Sequence, residues 1–514
     1  MNHTKGTKLH RSRDNVKTST LVVIIALAVS FIAGVRSTAS TGQAVASLRV
    51  NEPLEAVVAD LEAFIPDYME QEGVPGVAIA LVRDGRVVWA EEFGVTNVLT
   101  GKPVTPNSTF KVASNSKLVT AYIALRLVDQ GVLALDEPLN SYLTEPYLAQ
   151  EEYRPRVALR HTLSHTSGMG HDGFSRKVRF PPGAGYFYSA NGFLYTQKVL
   201  EEATGRSLEE LGQELVFQPL GMDHSSYVNA PAVMDQPAQG HLPTLLPALV
   251  FALPFLVFLL VLALLALIVG RLRSGRWGLS RLSALAIYAL AALPAFGLAF
   301  GLAFLFTPGL STRYAILILI LWGIPLLALL LANRVLKRRF TQRAGLRRGL
   351  LATWVLVVVL ALAGATLALG DIPGITPEAT TPGAAGSVRA NAADMARLLI
   401  EIADPQNLSP ATAAQMRTPQ VSLREDLSWG LGPGIQHSPE GDALWQWGQA
   451  LDFQSLMIIY PELGYGAVVL TNSDLLNPDV AIEIAHRALG GSIDAIRRAA
   501  LNLEFNYQGP FLEE

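Results

Sequence analysis

The chain has 514 residues, room for two or three domains, and half of it is apolar while only 16% is charged. Soluble globular proteins carry about a quarter charged residues, so a large apolar region is implied. A formal net charge of −3 gives no reason to expect a nucleic-acid partner, and the absence of cysteine excludes disulfides, thiol nucleophiles and cysteine-ligated zinc without fixing the compartment.

The chain opens on a basic leader (Lys5, Lys8, Arg11, Arg13, Lys17), an apolar stretch from Ser19 to Val35, and small residues from Ser37. Residues 1–45 therefore read as a signal peptide or signal anchor, which puts the chain from about residue 40 onward outside the membrane. A first soluble piece follows over residues 50–242. Two apolar runs, Val77 to Val82 and Val87 to Ala90, flank Arg83-Asp84-Gly85-Arg86, and the Asp-Gly pair predicts a hairpin. Helical spacing is found over 114–129 and 192–203.

The first of these helices begins with Ser114-Asn115-Ser116-Lys117. Positions i and i+3 share a helix face, so Lys117 can reach the Ser114 hydroxyl within one turn. A lysine in a low-dielectric pocket can lose its proton near neutral pH and serve as the base that activates a serine. The alternative is an N-capping serine followed by a solvated lysine. His161 and His165 invite a serine–histidine–aspartate reading, but no Gly-x-Ser-x-Gly elbow supports it. With no His-Glu-x-x-His and no phosphate-binding glycine loop, neither a metal nor a cofactor is expected. Asp136 is expected to pin a turn.

Four charge-free apolar stretches follow, at 244–270, 282–306, 314–333 and 349–370. Each is long enough to cross a hydrocarbon core of about 30 Å, so residues 243–371 are expected to be a four-span transmembrane insertion. Arg271, Arg273, Arg276 and Arg281 follow the first span, and seven Lys or Arg lie between Arg334 and Arg348 after the third. The turn between the second and third spans holds only Arg313, and the flanks at 235–241 and 371–378 hold no Lys or Arg. The positive-inside rule places the loops 271–281 and 334–348 in the cytoplasm and both flanks outside. The chain is thus expected to be a multi-pass protein of the cell membrane, with the lipid bilayer as a partner. The spans contain no Asp, Glu, Lys, Arg or His in their cores, which argues against transport.

A second soluble piece, residues 383–514, begins with a helical pattern at 392–399, where Asp394 sits near the helix start and suits its dipole. It continues with strands near 453–460 and 465–471 and a helix near 479–488. Four spans return the chain to its starting side, so both pieces can close into one extracytoplasmic domain.

Several signposts stand together: Gly76-Val77-Ala78-Ile79-Ala80, the Ser114–Lys117 tetrad, Leu133 to Leu139, Leu159 to Gly168, Pro182-Gly183, Tyr188-Ser189 and Pro219-Leu220-Gly221-Met222. In this order they resemble the serine β-lactamase and penicillin-binding-protein superfamily, in its class C β-lactamase-like branch, over nearly all of residues 55–240 and 383–490. The resemblance implies an α+β fold, an antiparallel sheet flanked by helices plus a helical lobe, here interrupted by the four-span insertion. It implies Ser114, Lys117 and Tyr188 as catalytic residues. The family's Tyr-x-Asn motif is met by Tyr188, but Ala190 stands at its third position and Asn191 one residue later. The Lys117 charge is expected to favour a Tyr188 phenolate; a core tyrosine in an aromatic run is the alternative. Gln446-Trp447-Gly448 stands where the family has Lys-Thr-Gly or His-x-Gly, so a neutral amide replaces a cation. The N–H of Gln449 would pair with that of Ser114 as an oxyanion hole, with Gly448 allowing close approach; ordinary strand residues are the alternative. Asn191, Gln446, Gly448 and Gln449 are thus the substrate-binding and oxyanion candidates.

The function implied is a membrane-anchored serine hydrolase forming an acyl-enzyme on Ser114. Its small-molecule or peptide substrate would be a cell-wall D-peptide, a β-lactam or an ester. The alternative is a β-lactamase-like receptor or scaffold, weak or inactive as a catalyst, coupled to the spans.

Overall fold

The computed structural model describes residues 47–171, 175–241, 381–450, 452–473 and 479–500. The leader over 1–45 and the apolar insertion over 243–371, with its basic loops, lie outside the described residues. Among the described residues no helix is long and apolar enough to cross a membrane.

The strands in chain order are β1 (Gly76–Arg83), β2 (Arg86–Asn97), β3 (Lys102–Pro103), β4 (Phe110–Lys111), β5 (Arg389–Ala390), β6 (Val421–Arg424), β7 (Leu427–Trp429), β8 (Gly434–Gln436), β9 (Ala443–Gln449), β10 (Gln454–Tyr460) and β11 (Tyr465–Thr471). The longer helices are α1 (Leu54–Glu72), α2 (Asn115–Asp129), α3 (Ala190–Thr204), α4 (Ala392–Ala403) and α5 (Val480–Leu489). Nine strands form one antiparallel sheet in the order β3-β2-β1-β11-β10-β9-β8-β7-β6, and β4 pairs with β5 separately.

The two pieces of the chain meet in both sheets. β1 runs against β11 in a register from Val77↔Thr471 to Val82↔Gly466, and Phe110 faces Ala390 across the β4–β5 pair. β1 is apolar without interruption because both faces of the sheet are covered. Its odd residues Val77, Ile79 and Leu81 pack with Val57, Leu61 and Ile65 of α1 and with Ile482 and Ile484 of α5. Its even residues Ala78, Ala80 and Val82 belong to the other core, with Leu118 and Tyr122 of α2, Phe193 of α3 and Leu398 of α4. The period-2 alternation of side chains thus places α2 and α3 on one face of the sheet, and this face carries the candidate site.

Candidate active site

β4 delivers the chain to a turn before α2. Ala113 there adopts φ 46, a left-handed backbone costing an L residue roughly 1–2 kcal/mol. Hydrogen bonds hold it: the Ser116 hydroxyl donates to the Ala113 carbonyl at 2.6 Å, and the Ser455 hydroxyl donates to the Val112 carbonyl at 2.8 Å. The Asn115 amide in turn donates to Ser455 Oγ at 2.8 Å, tying the first turn of α2 to β10. Ser114 occupies the N-cap position, yet its side chain caps nothing. The N-cap alternative fails, because the hydroxyl turns inward.

Lys117 Nζ lies 2.8 Å from Ser114 Oγ. The lysine is 1% exposed rather than solvated, and Nζ donates to the Ala385 carbonyl at 2.8 Å. Burial pulls its pKa down to about 7, since no carboxylate offsets the cost of carrying charge out of water.

Tyr188 comes from the turn before α3, where Ser189 caps the helix by accepting from the Gly192 N–H. The phenol is 5% exposed, hydrogen-bonds to Ser114 and accepts from Gln446 Nε2 at 3.1 Å. The expected phenolate is not what this environment favours. Burial pushes the Tyr188 pKa up to about 12, outweighing the hydrogen bonds with Ser114 and Gln446 that favour the ionised form. The same burial favours the neutral hydroxyl at Tyr188, whose ring centroid lies 5.0 Å from Lys117 Nζ.

The third motif lies on β9, as its spacing predicts. Gln446 is buried, and its Nε2 also donates to the Trp447 carbonyl at 2.9 Å. A Cβ on Gly448 would come within 2.2 Å of the Val112 carbonyl oxygen, 2.5 Å of Ser455 Oγ and 3.1 Å of the Ser114 backbone nitrogen. Only glycine lets the end of β9 press this closely on the Ser114 turn. Gln449, the next residue, closes the β9–β10 register opposite Gln454. Asn191 is 1% exposed and its amide donates to the Ser175 carbonyl at 2.8 Å, so the structure directs that amide to a neighbouring segment.

His161 and His165 are not part of a triad. His161 Nδ1 accepts from the Ala158 N–H at 3.1 Å, and burial lowers the pKa of both rings. Asp136 pins its turn through a two-pronged ion pair with Arg160 at 2.7 and 2.9 Å. Asp394 stands in the first turn of α4 and accepts from the His224 N–H at 2.8 Å and the Ser225 hydroxyl at 3.0 Å, joining the two pieces of the chain. Sequence reasoning did not single out Ala385 or Ser455 as partners of the site. Both are remote in the chain, and neither carries a motif.

Ser114, Lys117 and Tyr188 thus meet at the starts of two helices that pack on one face of the sheet. The beta-lactamase family profile matches residues 61–492, and the chain belongs to that family, within the serine hydrolase superfamily. Among relatives, it is 30% identical over 208 residues to the esterase EstB of Burkholderia gladioli, covering 34% of this chain and 53% of the relative. It is 30% identical over 187 residues to penicillin-binding protein 4 of Amycolatopsis lactamdurans (33% of this chain, 49% of the relative). The same identity holds over 200 residues to a D-aminopeptidase of Brucella anthropi (34% and 37%). The chain thus spans about half the length of these relatives, or less. Two solved structures share the fold. A class C beta-lactamase aligns with TM-score 0.54 and 14% identity over 85% of this chain and 97% of that one. The D-alanine carboxypeptidase AmpC of Burkholderia cenocepacia aligns with TM-score 0.52 and 17% identity over 85% and 99%. At these identities the likeness is one of fold.

Proposed function

We propose that this chain is a membrane-anchored serine hydrolase that works outside the cytoplasmic membrane through an acyl-enzyme on Ser114. The reading rests on Lys117 Nζ, buried and 2.8 Å from Ser114 Oγ, where burial pulls its pKa down to about 7. In the reaction, Oγ attacks the substrate carbonyl while its proton passes to neutral Lys117. The oxyanion that forms is met by the backbone N–H groups of Ser114 and Gln449, which Gly448 lets approach. Collapse breaks the acyl bond, and Tyr188 gives its proton to the leaving group and recovers one from Lys117. Water then releases the acyl group. The four apolar stretches between the two pieces of the domain support the anchoring, with the loops 271–281 and 334–348 in the cytoplasm.

Gln446 favours uncharged acyl donors of ester type. It offers no cation, and its amide is committed to Tyr188 and Trp447. A substrate carboxylate would lack the charge-assisted bond that is roughly twice as strong as a neutral one. The test is a panel of short-chain nitrophenyl esters, nitrocefin and D-Ala-D-Ala peptides. Esters should be turned over roughly tenfold or more faster than the carboxylate-bearing substrates, and Ser114→Ala should abolish turnover of all. Turnover retained in Ser114→Ala defeats the acyl-enzyme, and a preference for nitrocefin defeats the ester assignment alone.

A further inference from the structure

His165 takes no proton in the scheme above, yet its ring packs against the Tyr188 ring. It is fully buried and adopts φ 59, a region that histidine enters more readily than most L residues but that still carries strain. Its backbone carbonyl accepts from the Phe187 N–H at 2.9 Å, and its Nδ1 accepts from the Ser189 N–H at 3.0 Å. The residues on both sides of Tyr188 therefore hang from one histidine. Its ring lies 4.3 Å from the Tyr188 ring at an interplanar angle of 38°, and Trp429 closes edge-on behind it at 5.1 Å.

We propose that His165 is a positioning residue: its carbonyl and Nδ1 clamp the peptide on either side of Tyr188 while its ring backs the phenol, fixing the hydroxyl at Ser114. Because Nδ1 accepts, the ring proton sits on Nε2, a buried atom with no hydrogen-bond partner among the described residues, surrounded by Tyr186, Phe193 and Trp429. A ring kept for packing alone would not need an acceptor at Nδ1. A base would need its free nitrogen unprotonated. The clamp uses the side of the ring that a base would leave open.

The inference rests on Tyr188 serving Ser114, so the experiment follows phosphonylation of Ser114 in the full chain in detergent. Ser114 Oγ attacks the phosphorus of a fluorophosphonate while its proton passes to Lys117, the P–F bond breaks, and Tyr188 donates its hydrogen bond to the departing fluoride as it does to the leaving group of an ester. The maximal rate and the half-saturating concentration are determined separately. His165→Leu removes the acceptor and the ring. His165→Asn places an amide oxygen where Nδ1 stood and tolerates positive φ. His165→Leu should lower the maximal rate roughly a hundredfold, as loss of about an ångström of alignment does, with half-saturation moved less than about twofold. His165→Asn should recover about tenfold of that loss or more. A wild-type maximal rate in His165→Leu, or His165→Asn falling as far as His165→Leu, overturns the clamp. If His165→Leu does not fold, the nitrogen-15 spectrum of wild-type histidines decides: the Nε2–H tautomer is expected, and Nδ1–H at His165 overturns the proposal. Labelling of wild type but not of Ser114→Ala shows that the acyl-enzyme reading stands whichever way His165 falls.

Discussion

A lysine that is 1% exposed, with a hydroxyl and a backbone carbonyl as its hydrogen-bond partners, holds its proton weakly. In the proposed reaction its neutral fraction sets how fast Ser114 can lose a proton. The acylation rate at saturating ester should therefore rise about tenfold per pH unit below about 7 and level off above it, as Lys117 gives up its charge. Tyr188, pushed up to about 12, stays protonated over that range and adds no limb of its own. Lys117→Arg, which cannot deprotonate, should not acylate at any pH. A rate flat with pH across 7 would remove Lys117 from the role of base. The pairing of Ser114 with Lys117 was legible in the sequence because three residues of helix fix it. The pKa was only half legible. Its cause is burial beneath the 384–388 segment, and the Lys117–Ala385 bond joins residues 268 apart in the chain. The phenolate expected at Tyr188 is disfavoured for the same reason: a neighbouring charge is visible in the sequence, and the burial of the phenol itself is not.

At the scale of elements, local signals read true. Asp84 and Gly85 adopt φ 51 and 65, the paired positive values that a tight hairpin between β1 and β2 requires. Helices expected over 114–129 and 192–203 occupy 115–129 and 190–204. The junction of β9 and β10 with α2 was legible only as a motif, since Asn115 of α2 and Ser455 of β10 meet across 340 residues. That junction is where Gly448 matters. In Gly448→Ala the new Cβ would fall 2.2 Å from the Val112 carbonyl oxygen, a backbone atom that cannot swing away. The strand or the Ser114 turn must shift. Acylation should drop about a hundredfold, the scale of losing one oxyanion donor, and stability should fall by roughly 1–3 kcal/mol from overpacking. Labelling kinetics and denaturant unfolding measure the two effects. Wild-type acylation in Gly448→Ala would mean that the close approach serves packing alone.

At the scale of the molecule, one sheet is assembled from two stretches of chain, with β1 seated between β2 and β11. That two more polar stretches of chain flank an apolar block is legible in the sequence, because charge and hydropathy are local properties. The strand order is not, because it depends on pairings such as Val77↔Thr471. The proposed topology is open to direct labelling because the chain has no cysteine of its own. In intact cells, a cysteine replacing the exposed Asp235 should react with a membrane-impermeant maleimide. One at Ser274, between the first two spans, should react only after permeabilisation; labelling of Ser274→Cys from outside would contradict the topology.

The central claim is a covalent bond at one atom. The most direct measurement is mass mapping of the peptide modified by a fluorophosphonate probe in wild type and in Ser114→Ala. One adduct is expected, on Ser114, and it should be lost in the variant. Equal modification of the two proteins, or an adduct confined to another residue, would contradict it.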